Sequence, residues 1–419
     1  MTLRLRFAQA LGLGVLLAIL PARADLVLAG ITEATGPGAT AGMSFKNGYL
    51  LAIDELNAAG GVLGNQVKLV QHDIDTSPAA AAQAASAAIA ERPFAILGPV
   101  FSGLTLEAMG KTARTGIPHF TGGEAVSLTQ KFHPSLLRTS LSQAESAPRL
   151  GSLVVHGIGA RRVGVIWIDN AFGRDGVRVF SDYLRRRGGE IVFTAPVKPG
   201  QTEFDVVAAQ AVAQPMDALL IYCTEAEVSG LIKAVKAAGF SKPIASDGLI
   251  AASAVANATG PAIDGVLAHS NMSIAVRHPR VQTFVARYAA RFGMPPDQNA
   301  LKGYLAIGVI KAGLEQAGTL DPKAFLAVVK RDRLESTRHA MLFANVAFDF
   351  FGDLDRESYF IVMKGQKAHV LATVRSAMGG GVELASGRIM SLNSAEFRRE
   401  LTSTDAPASV PKRDAPVAR

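Results

Sequence analysis

Among 419 residues there is a single cysteine, Cys223, which excludes a disulfide scaffold. The same scarcity removes thiolate zinc sites and iron–sulfur clusters, since these need several sulfur ligands at definite spacing. Aromatic residues make up only 6% of the chain, and none are interleaved with a basic patch to stack nucleobases. The balance of 43 Lys plus Arg against 35 Asp plus Glu is basic, but the cations are scattered. Their longest run, Arg185 to Arg187, stands just before Gly188 and Gly189. That is where a helix gathers cations in its last turn and then stops, so no nucleic-acid partner is implied.

Motifs of catalysis are missing too. The chain has no Walker A loop and no H-E-x-x-H. Gly157-Ile158-Gly159 meets its next glycine, Gly164, two positions late and precedes a strand pattern instead of following one, which argues against a dinucleotide site. The histidines at 72, 119, 133, 156, 269, 278, 339 and 369 form no i,i+3 or i,i+4 pair, so nothing points to a metal. A serine nucleophile would sit in G-x-S-x-G, but Gly98-Pro99-Val100-Phe101-Ser102-Gly103 places Val100 where the first glycine belongs. A secreted hydrolase using Ser102 is therefore a weak reading, and no cofactor is implied.

What is present is the balance of a globular protein: 49% hydrophobic and 19% charged residues, in a length suited to two or three domains. Met1 to Ala24 carries Arg4 and Arg6, an apolar stretch from Leu11 to Leu20, and then Pro21-Ala22-Arg23-Ala24. The apolar stretch is too short to span a bilayer of roughly 30 Å as a helix. Ala22 and Ala24 supply the small residues of a cleavage site, so 1–24 reads as a signal peptide and the mature chain as starting at Asp25, outside the cytoplasm.

From Asp25 onward, short apolar runs alternate with longer amphipathic ones, the pattern of βα units around a mostly parallel sheet. Leu26 to Ile31, Val67 to Gln71, Phe94 to Leu97 and Ile117 to Phe120 read as strands. Phe45, Tyr49, Ala52, Ile53 and Leu56 recur at helical spacing and are followed by Gly60 and Gly61, a helix with a glycine stop. A second series follows, with strands at Val163 to Ile168, Ile191 to Ala195, Ala218 to Tyr222 and Ile244 to Ser246. Two such series predict an α/β fold of two doubly wound parallel-sheet lobes. Residues 278–330 read as helices without strands of their own, which must pack on an existing lobe. After Val374 the glycine run Gly379 to Gly381 leads into small and polar residues, read as a disordered tail with at most a short helix at Ser394 to Leu401.

Polar residues just after predicted strands mark where open α/β sheets bind ligands. Ser102 precedes a helix, so its hydroxyl and the nearby backbone N–H groups suit an anion such as a carboxylate; a plain helix cap is the alternative. Thr224 and Glu225 follow one strand and Asp247 another, where acids suit an ammonium group; a solvated loop is the alternative.

In order along the chain stand Thr35-Gly36-Pro37, Ala52-Ile53-Asp54-Glu55-Leu56-Asn57 with Gly60-Gly61-Val62-Leu63-Gly64, then Asp73 and Asp75, and Ile96-Leu97-Gly98-Pro99 with Ser102. Leu137-Arg138-Thr139, Asp169 to Gly173, Ala237-Ala238-Gly239-Phe240 and Asp247-Gly248 follow. From about Leu26 to Val374 this series resembles the leucine/isoleucine/valine-binding class of ABC-transporter solute-binding proteins, the type I periplasmic binding proteins. The resemblance implies a ligand cleft between lobes joined by a three-strand hinge, and docking on a membrane permease. It divides the chain into 25–143 plus 272–343, 144–271 plus 344–375, and a tail at 376–419. It also implies that Ser102 holds a ligand carboxylate and Asp247 a ligand ammonium, as for an amino acid or related small carboxylate.

The sequence departs from the family pattern in the cleft. Ala41 stands for an aromatic of the first loop, Phe172 for a tyrosine, and Ala125 for a hydroxyl-bearing residue beside Gly123 and Glu124. Glu124 and Glu225 favour a more cationic ligand, whereas Ala41 and Phe172 leave room for an apolar or aromatic one. The leading function is a periplasmic receptor of an ABC importer, and the alternative is a sensor of amides or aromatic acids on the same fold.

Overall fold

The computed structural model describes residues 25–131, 133–375, 381–384, 388–391, 394, 396, 397 and 399. The signal peptide expected at 1–24 lies outside them, as does most of the expected tail.

The chain opens as βα units: β1 (Leu26–Thr32), α1 (Ala39–Ala58), β2 (Val67–Asp73), α2 (Pro78–Ala90), β3 (Ala95–Leu97), α3 (Ser102–Thr112), β4 (His119–Thr121), α4 (Ser127–Gln130) and β5 (Leu136–Arg138). Their strands pair in parallel in the order β2-β1-β3-β4-β5. Parallel strands need helices on both faces, which is why Ala95–Leu97 and Leu136–Arg138 are buried throughout.

A second series runs α5 (Gln143–Ser152), β6 (Arg162–Ile168), α6 (Ala171–Arg186), β7 (Glu190–Val197), α7 (Asp205–Val212), β8 (Ala218–Tyr222), α8 (Glu225–Ala237), β9 (Ile244–Asp247), α9 (Ser253–Thr259) and β10 (Leu267–Ser270). Helices α10 (Pro279–Phe292), α11 (Gln298–Ala317) and α12 (Pro322–Arg331) follow, then the small hairpin β11 (Ala347–Phe348) and β12 (Leu354–Asp355). The last strands are β13 (Ser358–Lys364), β14 (Lys367–Val374), β15 (Val382–Leu384) and β16 (Ile389–Met390). The second sheet has the order β16-β15-β14-β13-β10-β9-β8-β6-β7, parallel from β7 to β10 and antiparallel beyond.

Helices α10 to α12 return to the first sheet, and Phe284, Tyr304, Ile307 and Phe325 share one core with Phe45, Leu97 and Phe120. Helix α11 is buried nearly all round, with Leu301, Leu305, Ile307 and Ile310 in the core and Gln298, Asn299 and Lys302 buried in its first turns. Two glycines set how closely it meets α1. A Cβ on Gly48 would lie 2.0 Å from the Ala300 carbonyl oxygen, and one on Gly303 would lie 2.0 Å from that of Phe45. This contact, together with the Asp297 side chain accepting from Asn299 N and Ala300 N, fixes the first turns of α11.

The chain passes between the two sheets three times: between Arg138 and Gln143, between Ser270 and Pro279, and between Asp355 and Ser358. The third passage differs from the break expected after residue 343. Val346, Phe348 and Leu354 belong to the core of the first lobe, and Asp353 pairs with the buried Arg138 at 2.7 Å. Strands of two residues, β11 and β12, carry too little period to be read in sequence. The tail expected at 376–419 is also corrected where it is described. Strands β15 and β16 extend the second sheet, and the side chain of Phe397 is fully buried, its ring 5.7 Å from that of Phe360.

Candidate functional site

Most of the strand-end residues singled out in sequence gather where the C-terminal edges of the two sheets face each other. On the first lobe Ser102 opens α3 and does not cap it. Its Oγ accepts instead from Glu124 N at 3.1 Å and Ala125 N at 3.0 Å. Both hydroxyl lone pairs are thereby used, so what Ser102 can still offer is its O–H proton. Gly123 is buried beside it, and its carbonyl accepts from Arg138 Nη1 at 2.8 Å and Ser140 Oγ at 2.9 Å. Arg138, fully buried, also donates to the Ala125 carbonyl, so the loop from 123 to 125 is held from beneath by one guanidinium.

Glu124 is 4% exposed and its Oε1 accepts from Lys302 Nζ at 2.8 Å, while its Oε2 has no hydrogen-bond partner. Lys302 comes from the second turn of α11 and is 3% exposed. Burial alone would lower its ammonium pKa, but the charge and hydrogen bond of Glu124, then the charges of Asp247 and Glu225, hold it above the ordinary lysine value.

Across the cleft, Asp247 ends β9 and its Oδ1 accepts from Leu249 N at 3.1 Å and Gln298 Nε2 at 3.4 Å. Burial, and next the charge of Glu124, push its carboxyl up to about 8. Glu225, half-buried at the start of α8, accepts from Asn299 Nδ2 at 3.0 Å, and burial pushes it up to about 7. These two hydrogen bonds join the lobes, because Gln298 and Asn299 belong to α11. A third link runs from Ser127 N to Asp175 Oδ2 at 2.8 Å.

Phe172 stacks on Tyr222 with ring centroids 4.6 Å apart and planes 8° from parallel. Gln143 Nε2 donates to the Phe172 carbonyl at 2.8 Å and to the Tyr222 hydroxyl at 2.9 Å, tying the pair to the first passage between lobes. The polar group of Thr224 is engaged within its own lobe. Its hydroxyl donates to Glu227, which in turn accepts from Gly200 N, so it braces the first turn of α8. A cavity of about 210 Å³ opens between the lobes beside Ala41, Phe101, Glu225 and Val255.

Sequence reasoning passed over several groups. Glu33 follows β1 as Asp247 ends β9, so the strand-end rule used for the others would have found it. It is fully buried, and its carboxylate accepts from Val100 N at 3.1 Å and Phe101 N at 3.0 Å. Burial raises it to about 7 against the pull of those amides. Lys302 left one signal, a cation inside the apolar stretch Ala300 to Ile310. Gln298 and Asn299 left none, since they reach the cleft from a helix with no strand before it. Among the described residues no group of three or more His, Cys, Asp or Glu is placed to hold a metal ion.

Residues 26–365 match the profile of the family described as periplasmic binding protein. The chain belongs to that family. It is 27% identical over 340 residues to the Leu/Ile/Val-binding protein BraC3 of Rhizobium johnstonii, covering 81% of this chain and 91% of that one. With the Leu/Ile/Val-binding protein of Escherichia coli it shares 21% identity over 313 residues, 74% of this chain and 84% of the relative. A leucine binding protein from Thermotoga maritima superposes with a TM-score of 0.76 at 22% identity, covering 84% of this chain and 99% of that chain. A solute-binding protein of an ABC transporter from R. palustris, solved in complex with benzoate, gives 0.76 at 20% identity, covering 84% and 97%. These establish the two-lobed type I periplasmic binding protein fold, and the relatives are solute-binding proteins, not enzymes.

Proposed function

We propose that this protein is the periplasmic receptor of an ABC importer, which takes a small carboxylate solute, an amino acid or a related acid, between its lobes and delivers it to a membrane permease. The observation that carries this reading is the convergence of polar groups from both lobes on one cleft. Ser102, whose O–H is left to donate, and Glu124 come from the first lobe, and Glu225 and Asp247 of the second lobe bond to Asn299 and Gln298 of the helix that brings Lys302 to Glu124. Carboxylates suit a helix start, where N–H groups and the dipole favour negative charge. Small Ala41, with Phe101 and Val255, leaves an apolar share of the cavity between the lobes to the rest of the ligand. Opening and closing about the three passages between the sheets would admit and trap it.

A thermal-shift screen of Asp25–Arg419 against amino acids, aliphatic and aromatic carboxylates, amides and polyamines tests the reading. A ligand present at 100 times its Kd stabilises the folded state by about 2.7 kcal/mol and raises the melting temperature. The expected result is a shift with at least one small carboxylate. Shifts confined to amides or polyamines would defeat the carboxylate assignment.

A further inference from the structure

The cleft already contains an ammonium group. Lys302 Nζ lies 2.8 Å from Glu124 Oε1, and the two side chains are 3% and 5% exposed. The attraction that raises the lysine also comes from Asp247 and Glu225, so Lys302 stands among all three acids that would receive a ligand amine. A ligand ammonium placed there would meet Lys302 as a like charge in a buried site, which disfavours both ionised forms. The neighbouring carbonyl of Gly123, otherwise free to accept from an amine, has two donors already in Arg138 and Ser140. The polar group left over beside it, the Ser102 hydroxyl, can only donate.

We infer that Lys302 occupies the cation subsite of the cleft from within the chain, and that the ligand is therefore a small carboxylate without an α-amino group. The inference rests on the receptor reading and narrows its ligand class. The carboxylate is received by the Ser102 hydroxyl. The unpartnered Glu124 Oε2 takes a hydrogen bond from a neutral hydroxyl of the ligand, which brings no second cation against Lys302. Charge bookkeeping agrees: Glu124 and Lys302 neutralise each other, and Asp247 and Glu225, pushed up to about 8 and about 7, are held largely or partly protonated near neutral pH, so the cleft does not require a cation from outside. Glu33, raised to about 7, keeps its own partners in Val100 N and Phe101 N, and Asp297 keeps Ser44 and two backbone amides.

Isothermal titration of the wild-type protein with matched pairs decides the matter: leucine against 4-methylpentanoate and 2-hydroxy-4-methylpentanoate, and phenylalanine against 3-phenylpropanoate. Each amine-free acid is expected to bind more tightly than its amino acid, and 2-hydroxy-4-methylpentanoate, which alone supplies the hydroxyl for Glu124 Oε2, at least about ten-fold tighter than leucine, a gap of about 1.4 kcal/mol. Its affinity should fall between pH 6.5 and 8.5, because an arriving anion favours protonated Asp247 and Glu225 and draws in protons. An arriving ammonium would do the opposite. Lys302→Met should shift the preference toward the amino acid; if that variant does not fold, the double variant Lys302→Met with Glu124→Gln leaves no unpaired charge from this pair and serves instead. Tighter binding of the amino acid, with affinity rising with pH, overturns the inference and leaves the receptor reading standing. Binding of neither series, with shifts confined to amides or polyamines in the screen, overturns both.

Discussion

The hydroxyl of Ser102 has a structural task besides any ligand contact. Two buried backbone amides, of Glu124 and Ala125, have it as their acceptor, and the loop they belong to carries Glu124 into the cleft. Ser102→Ala removes that acceptor and leaves both N–H groups without a partner in a dry environment. The expected cost is about 1–3 kcal/mol of folding stability, the penalty of an orphaned buried donor, along with weaker ligand binding. A urea titration reads the first effect and calorimetry the second; a variant as stable as the wild type would show that the amides find another partner. At this scale the sequence was legible where a rule about strand ends applied, which is why Ser102, Glu225 and Asp247 stood out. It was silent where a side chain arrives from a helix packed by tertiary contact. Lys302 and Asn299 enter the cleft because Gly48 and Gly303 let α1 and α11 approach, and no local pattern announces that.

At the scale of elements, the βα series was readable because each unit carries its own period, while the ends of the second sheet were not. Strands β15 and β16 span three and two residues, too short for alternation to show, and they lie in a stretch of glycine and small polar residues. Strand β16 is the edge and β15 lies between it and β14, so their order comes from the pairing, with Val382 buried against Val374 and Phe397 packed on Phe360. A chain ending at residue 376 therefore loses more than a solvated tail. Removing a buried phenylalanine alone costs about 3–5 kcal/mol, to which the exposed edge of β14 adds. The truncated protein is expected to unfold at lower urea concentration than one ending at Arg399, and to associate more readily through the bared edge. Equal midpoints by circular dichroism would contradict this.

The molecule as a whole concentrates buried acid in the cleft and buried neutral histidine elsewhere, and the two groups oppose each other as pH changes. His119 and His133 are held down to about 4 and about 3 by burial, and His269 lies well below the ordinary value for the same reason. Between those values and 6.5 the unfolded chain binds more protons, so these groups make stability rise with pH and have finished doing so by about neutrality. The cleft acids act with the reverse sign. Asp247 is raised to about 8, and Glu33 and Glu225 to about 7, above ordinary values of 3.8 and 4.5. In that window the folded state binds more protons than the unfolded one, and stability falls as pH rises. Above pH 6.5 the acids act without opposition from the histidines, so the ligand-free protein should lose stability from pH 6.5 to pH 8, by about 1–2 kcal/mol if Asp247 dominates at up to about 1.4 kcal/mol per pH unit. Asp247→Asn keeps an acceptor for Leu249 N and Gln298 but has no proton to lose, and should flatten the slope. Denaturation midpoints at half-unit steps of pH test this directly. A wild-type profile that is flat or rising over that interval would mean that the folded cleft holds these carboxylates ionised without cost, and that the ion pair of Lys302 and Glu124 is not the only charge it can sustain.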